Sequence, residues 1–264
     1  MTAASRCRKR NFTAEAQRRR GFILICVRRL SGSPLIVESS LRLRVSAVEE
    51  MARVRVHQHV NPGSPYYRQE PIPVDIESVF AEPEQPLLLD IGCARGRFLL
   101  RMAEAEPMWN YLGVEIREPL VYEANRLASE AGLTNLYYTF CNAMLWLDRL
   151  IEAIPPGILQ AVTIQFPDPW FKKKHAKRRM VNKEMVDTIA RHLAPNRCVF
   201  VQTDIEFLAD ELFALFRADE RFQETSIDEN PFPVKTEREK AVEDKEMPVY
   251  RVGFRTITSS SSLS

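Results

Sequence analysis

No apolar run in the 264-residue sequence approaches the roughly 18–20 residues that a membrane helix needs. The longest near the start, Gly21 to Val27, is short and flanked by arginines, so no membrane span is expected. None of the five cysteines (Cys7, Cys26, Cys93, Cys141, Cys198) belongs to a C-x-x-C pair, and their number is odd. A disulfide framework and a zinc site are both disfavoured, no metal is expected, and free thiols in a reducing compartment are the simplest reading. The dinucleotide fingerprint G-x-G-x-x-G is incomplete: counted from Gly92, its second and third glycines fall on Ala94 and Arg97. That disfavours a nicotinamide-dependent dehydrogenase. The body of the chain also lacks excess positive charge. Residues 1–50 carry ten Arg and one Lys against four Glu, whereas the other 214 residues carry 26 basic and 31 acidic groups. A nucleic-acid surface, if present, must therefore be local.

Residues 1–50 are Arg-rich, contain several Ser, have few acids and show no sustained period. They fit an organelle transit peptide or an upstream extension with Met51 the true beginning; an RNA-binding basic arm is a third reading. Residues 51–86 are expected to form an irregular, Pro-rich arm, and 258–264 a disordered serine tail.

From Leu87 the pattern becomes regular. Leu87 to Ile91 is an apolar run stopped by glycine, hence a buried strand; Gly96 to Glu106 follows as a helix ended at Pro107. Strands are then expected at Tyr111–Ile116, Asn135–Phe140, Ala161–Phe166, Cys198–Thr203, Glu224–Ile227 and Val249–Thr256. Helices are expected at Pro119–Glu130, Leu145–Ile154, Lys183–Leu193 and Ile205–Phe216, with a charged loop before the last strand. Such alternation implies a doubly wound α/β domain over 87–257, with a mostly parallel seven-stranded sheet. The last two strands have no helix expected between them, so one should run antiparallel at the edge.

Ligands in such sheets bind at the carboxyl ends of the strands. The first end reads Asp90-Ile-Gly92-Cys-Ala94-Arg-Gly96. Gly92 permits a tight turn, and Ala94 and Gly96 keep bulk away from a close ligand. An anion at Asp90 would repel a pyrophosphate but receive a cationic amino-acid head group. This pattern resembles motif I of the Rossmann-like methyltransferases, which bind S-adenosyl-L-methionine. Glu115 ends the second strand 25 residues later, near the interval at which an acid chelates ribose hydroxyls. Asn142 follows the third and offers an amide to an adenine edge, or is an ordinary turn residue. The fourth ends in Phe166-Pro-Asp168-Pro-Trp170, where two prolines fix the chain around Asp168. Phe171 to Arg179 then carries six full positive charges in nine residues, a concentrated patch suited to phosphates, with Trp170 or Phe171 available to stack on a base.

F-P-D-P-W followed by K-x-x-H-x-K-R-R resembles the signature of bacterial tRNA (guanine-N7-)-methyltransferases, and the likeness covers about residues 51–257. The resemblance implies methyl transfer from S-adenosyl-L-methionine to N7 of a variable-loop guanine in tRNA. It implies that Asp90, Gly92, Glu115, Asn142 and Asp168 bind the cofactor, with Asp168 the catalytic residue. Lys172, Asp204 and the T-x-x-E motif Thr236-Glu237-Arg238-Glu239 would contact substrate. Lys174, His175, Lys177, Arg178 and Arg179 would contact RNA. Asn142 stands where the pattern usually has an acid, Ala94 where it has glycine, and Asp90 where Glu is more frequent. The protein is expected to be a monomer or homodimer, cytoplasmic unless residues 1–50 direct it to a plastid or other organelle. A methyltransferase for a protein or small molecule and a non-catalytic RNA-binding protein are the competing readings. The basic run argues against the first, and the intact set of Asp90, Glu115 and Asp168 against the second.

Overall fold

The computed structural model describes residues 60–171 and 178–257. The expectations for residues 1–50 and 258–264, and for Lys172, Lys174, His175 and Lys177, lie outside the described residues. The strands are β1 (Leu87–Ile91), β2 (Asn110–Glu115), β3 (Leu136–Phe140), β4 (Leu159–Gln165), β5 (Cys198–Thr203), β6 (Phe222–Ser226) and β7 (Tyr250–Thr256). Between them run α1 (Arg97–Ala105), α2 (Glu118–Glu130), α3 (Ala143–Glu152), α4 (Lys183–His192), α5 (Glu206–Arg217) and α6 (Glu237–Glu243). The arm holds two single turns, Pro65–Arg68 and Ile76–Val79.

One seven-stranded sheet has the order β3-β2-β1-β4-β5-β7-β6. β1 to β5 are parallel, and β7 runs antiparallel to both its neighbours, β5 and β6. The reversal lies one strand in from the margin, because β7 inserts between β5 and the outermost β6. Apolar residues alternate between the two faces. Leu87, Leu89 and Ile91 pack with side chains of α3, α4 and α5, while Leu88 packs with those of α1 and α2. Burying a side chain such as Leu89 or Leu112 stabilises by roughly 1.5–3 kcal/mol. These strands are therefore core along their length, and polar chemistry is confined to their ends.

The strand order reverses between β1 and β4, one neighbour continuing toward β2 and the other toward β5. The crevice outside the carboxyl ends at this point is where such sheets hold ligands. Asp90, Glu115, Asn142, Asp168 and Asp204 all sit at or just past the carboxyl ends of the five parallel strands.

α6 is absent from the sequence reading, which gives that segment as a charged loop. Its sequence, EREKAVE, buries only Glu239 and Val242, so no apolar period marks it. The signal that finds it is the cap: Thr236 Oγ1 accepts from the Glu239 amide at 3.0 Å. T-x-x-E is thus also a helix-start pattern.

Candidate active site

A cavity of about 780 Å³ opens at the crossover, within the range of small-molecule sites. Asp90, Gly92, Glu115, Asn142, Asp168, Arg178, Asp204, Thr236, Glu237 and Arg238 all line it. The sequence-predicted residues thus converge, with two described exceptions, Arg179 and Glu239.

Asp90 is buried beside Thr163, whose hydroxyl donates to Asp90 Oδ1 at 2.6 Å. Burial pushes its carboxyl up to about 6; the Thr163 bond partly opposes this, and the charge on Glu115 adds to it. A carboxylate held at such cost, facing a cavity, is poised for a cation. Gln165, on the same cavity, also opposes the shift by hydrogen bonding to the Asp90 carboxylate.

The turn after β1 places Gly92 (φ +84°), Ala94 (φ +52°) and Gly96 (φ +71°) in the left-handed region. The two glycines have different reasons. A Cβ on Gly92 would meet only the flexible Met180 side chain, at 3.4 Å, so this position is open to the cavity. A Cβ on Gly96 would strike the Tyr138 ring at 2.5 Å. Gly96 therefore makes room for Tyr138, whose hydroxyl donates to Gly96 O, and the expectation that it spares a ligand is corrected.

Glu115 ends β2 paired with Arg117. Arg117 donates to it three times, from its backbone amide (2.9 Å), Nε (2.9 Å) and Nη2 (3.0 Å). Burial opposes the charge on Arg117, but Glu115 and the nearby Asp168 more than restore it. Sequence reading missed Arg117. Its signal was only position, two residues past an acid at a strand end. Asn142 caps α3, with Oδ1 accepting from the Met144 amide at 3.2 Å.

Asp168 is exposed at the cavity mouth on a strained turn. Phe166 (φ +51°) and Trp170 (φ +41°), both bulky, occupy the left-handed region on either side of it. Strain of this kind persists where surroundings enforce it. The Phe166 amide donates to Gln202 O at 2.8 Å. Arg179 secures the other side: Nε donates to Pro169 O at 3.0 Å, Nη2 to Trp170 O at 3.5 Å, and Nη1 pairs with Glu211. Arg179 is thus turned inward as a clasp on the Asp168 turn. Arg178 lies over the Trp170 ring at 5.2 Å and faces the cavity, where it can still meet a phosphate. Replacing Arg179 by Met should lower kcat roughly 10- to 100-fold by loosening the turn. The salt slope of tRNA binding should stay as in wild type. Arg178→Glu should instead weaken tRNA binding and reduce that slope by about one or more. A changed slope in Arg179→Met would return Arg179 to the RNA interface.

Asp204, just past β5, is buried and paired with Arg238. The T-x-x-E motif divides. Thr236, Glu237 and Arg238 line the cavity, whereas Glu239 is fully buried beneath it. Its carboxylate accepts from Asn230 Nδ2 (2.6 Å), Arg251 Nη2 (2.9 Å) and Gln202 Nε2 (3.2 Å). Enclosed and bonded in this way, Glu239 braces α6 against β5 and β7.

A family model described as "Putative methyltransferase" matches residues 84–252. A tRNA (guanine-N(7)-)-methyltransferase of Synechococcus elongatus is 56% identical over 207 residues, spanning 77% of this chain and 97% of that protein. One from Trichormus variabilis is 53% identical over 209 residues, spanning 78% and 97%. The chain belongs to the tRNA (guanine-N7-)-methyltransferase family. Membership accounts for the pairing of a methyltransferase crossover site with a basic run beginning four residues after Asp168. Among the described residues, Cys93 and Cys141 are free thiols, no cluster is placed to hold a metal ion, and no helix is long and apolar enough to cross a membrane.

Proposed function

We propose that the chain transfers a methyl group from S-adenosyl-L-methionine to N7 of a guanine in tRNA, in the cavity at the β1–β4 crossover. The observation that carries this reading is one cavity lined at once by Asp90, Glu115, Asp168 and Asp204. The donor set fits the cofactor. Asp90 would hold its ammonium group, and Glu115 would accept from its ribose hydroxyls. When bound, the cofactor supplies a methyl group on a positively charged sulfur.

Guanine N7 presents a lone pair and no proton, so the chain needs no base to uncover it. Asp168 instead orients the purine and offsets positive charge on sulfur before transfer and on the purine after it. Asp204, held by Arg238, would accept from the guanine N–H edge. Alignment of nucleophile, methyl and sulfur supplies most of the acceleration. The basic run after Asp168, with Arg178, offers binding energy to draw the base out of the tRNA fold.

The direct assay incubates the protein with labelled S-adenosyl-L-methionine and unmodified tRNA, then treats the RNA with aniline. Label in tRNA with cleavage at one guanine is expected. Label without aniline cleavage would place the methyl on another atom, and no label would sink the reading. The protein should act where tRNA is, in the cytoplasm, or in an organelle if residues 1–50 are a transit peptide; N-terminal sequencing of the native protein decides between them.

A further inference from the structure

Asn142 spends its amide protons inside the protein. Nδ2 donates to two carbonyls of the N-terminal arm, Pro62 O and Tyr67 O, both at 3.1 Å. These partners lie 80 and 75 residues earlier in the chain. The arm is fastened again beside and just after Tyr67. Trp146 Nε1 donates to Arg68 O at 3.2 Å, and Arg149 pairs with Glu70 at 3.5 Å. The rings of Tyr66 and Tyr67 pack on Phe140, and the Tyr66 hydroxyl donates to Glu118. On its inner side, Val60 and Pro62 line the same cavity as Asp90 and Glu115.

From this geometry we infer that Asn142 is a positioning residue that clasps residues 60–70 in place as a wall of the cofactor cavity. The inference rests on the cofactor reading above and extends it to the arm. It also explains a departure from the family pattern, which usually has an acid here. An ionised carboxylate only accepts hydrogen bonds, and at position 142 it would face two carbonyl oxygens. The amide keeps the helix-capping acceptor and adds the two donors that the arm requires. Asparagine and aspartate cap helices about equally well, so the cap does not distinguish them. The arm does.

Asn142→Asp in the full chain is the probe, because it preserves shape and cap while removing both donors. Three quantities are measured: cofactor affinity by calorimetry, hydrogen exchange of residues 60–70, and tRNA affinity. Amide exchange in 60–70 should speed at least roughly tenfold. The cofactor Kd should rise about tenfold, because only molecules with the arm in place bind well. Tyr67→Ala, which loosens the arm without touching position 142, should shift both in the same direction. The double variant should be no worse than the more affected single variant, within about twofold, if both act through the arm. Cofactor affinity within about twofold of wild type in Asn142→Asp overturns the inference. So does weakened affinity with unchanged exchange at 60–70, which would mean that residue 142 meets the ligand itself. If the wild-type protein binds no S-adenosyl-L-methionine, the functional reading fails, while exchange at 60–70 still decides the clasp.

Discussion

Asp168→Ala should lower kcat on the order of 10²–10³-fold while leaving tRNA affinity within about twofold. The side chain is exposed and its turn is set by Pro167, Pro169 and Arg179, so truncation removes a charge without dismantling its support. The fold should keep its stability, since surface changes away from caps and networks usually matter little. Asp168→Asn divides the two roles assigned to the carboxylate. If orientation dominates, the amide should recover part of the rate; if the negative charge dominates, Asn should be as slow as Ala. Equal losses of catalysis and tRNA binding in Asp168→Ala would remove the residue from the chemical step.

Asp90→Asn should move two properties in opposite directions. Cofactor affinity should fall on the order of 10²-fold or more, because a buried cation loses its anion. The ligand-free protein, however, should become more stable at pH 7.5. The Asp90 carboxyl is pushed up to about 6 in the fold, against an ordinary value of about 3.9 when unfolded. The folded chain thus holds that proton more tightly. The associated stability is fully present below about pH 4 and is lost as pH rises through 6. Above that, a buried anion weighs against the fold, and an amide that keeps the Thr163 hydrogen bond relieves about 1–3 kcal/mol. Thermal melts should rise by roughly 3–8 °C at pH 7.5 and converge with wild type near pH 4. In wild type, the cofactor Kd should increase about tenfold per unit as pH falls below 6. A variant less stable than wild type at pH 7.5 would show that Asp90 is not strained without ligand.

The parallel half of the sheet was legible because each strand is an apolar run ended by a polar turn; β1 and β5 carry the expected bounds. The residues at those ends were legible for the same reason. What was hidden depends on contacts between distant segments. Arg179 belongs to a run of six charges, which reads as solvent-facing until Pro169 and Trp170 curl back to meet it. Glu239 reads as a site acid because burial of a carboxylate is visible only once Asn230, Gln202 and Arg251 surround it. Asn142 reads as a ligand contact or turn residue because its partners lie in a Pro-rich arm without periodic pattern. Gly96 reads as sparing a ligand rather than a ring, since nothing local announces Tyr138.

The insertion of β7 between β5 and β6 sets an order of assembly. Among the described strands, β6 has one hydrogen-bonded neighbour, and that neighbour is the last of them to leave the ribosome. The parallel strands that carry the cofactor carboxylates are all synthesised by Thr203. β6 and the Arg251 partner of Glu239 must wait for Tyr250–Thr256. Domains fold as their chains emerge, so a nascent chain stalled before β7 would carry a nearly complete donor half beside an unanchored acceptor half.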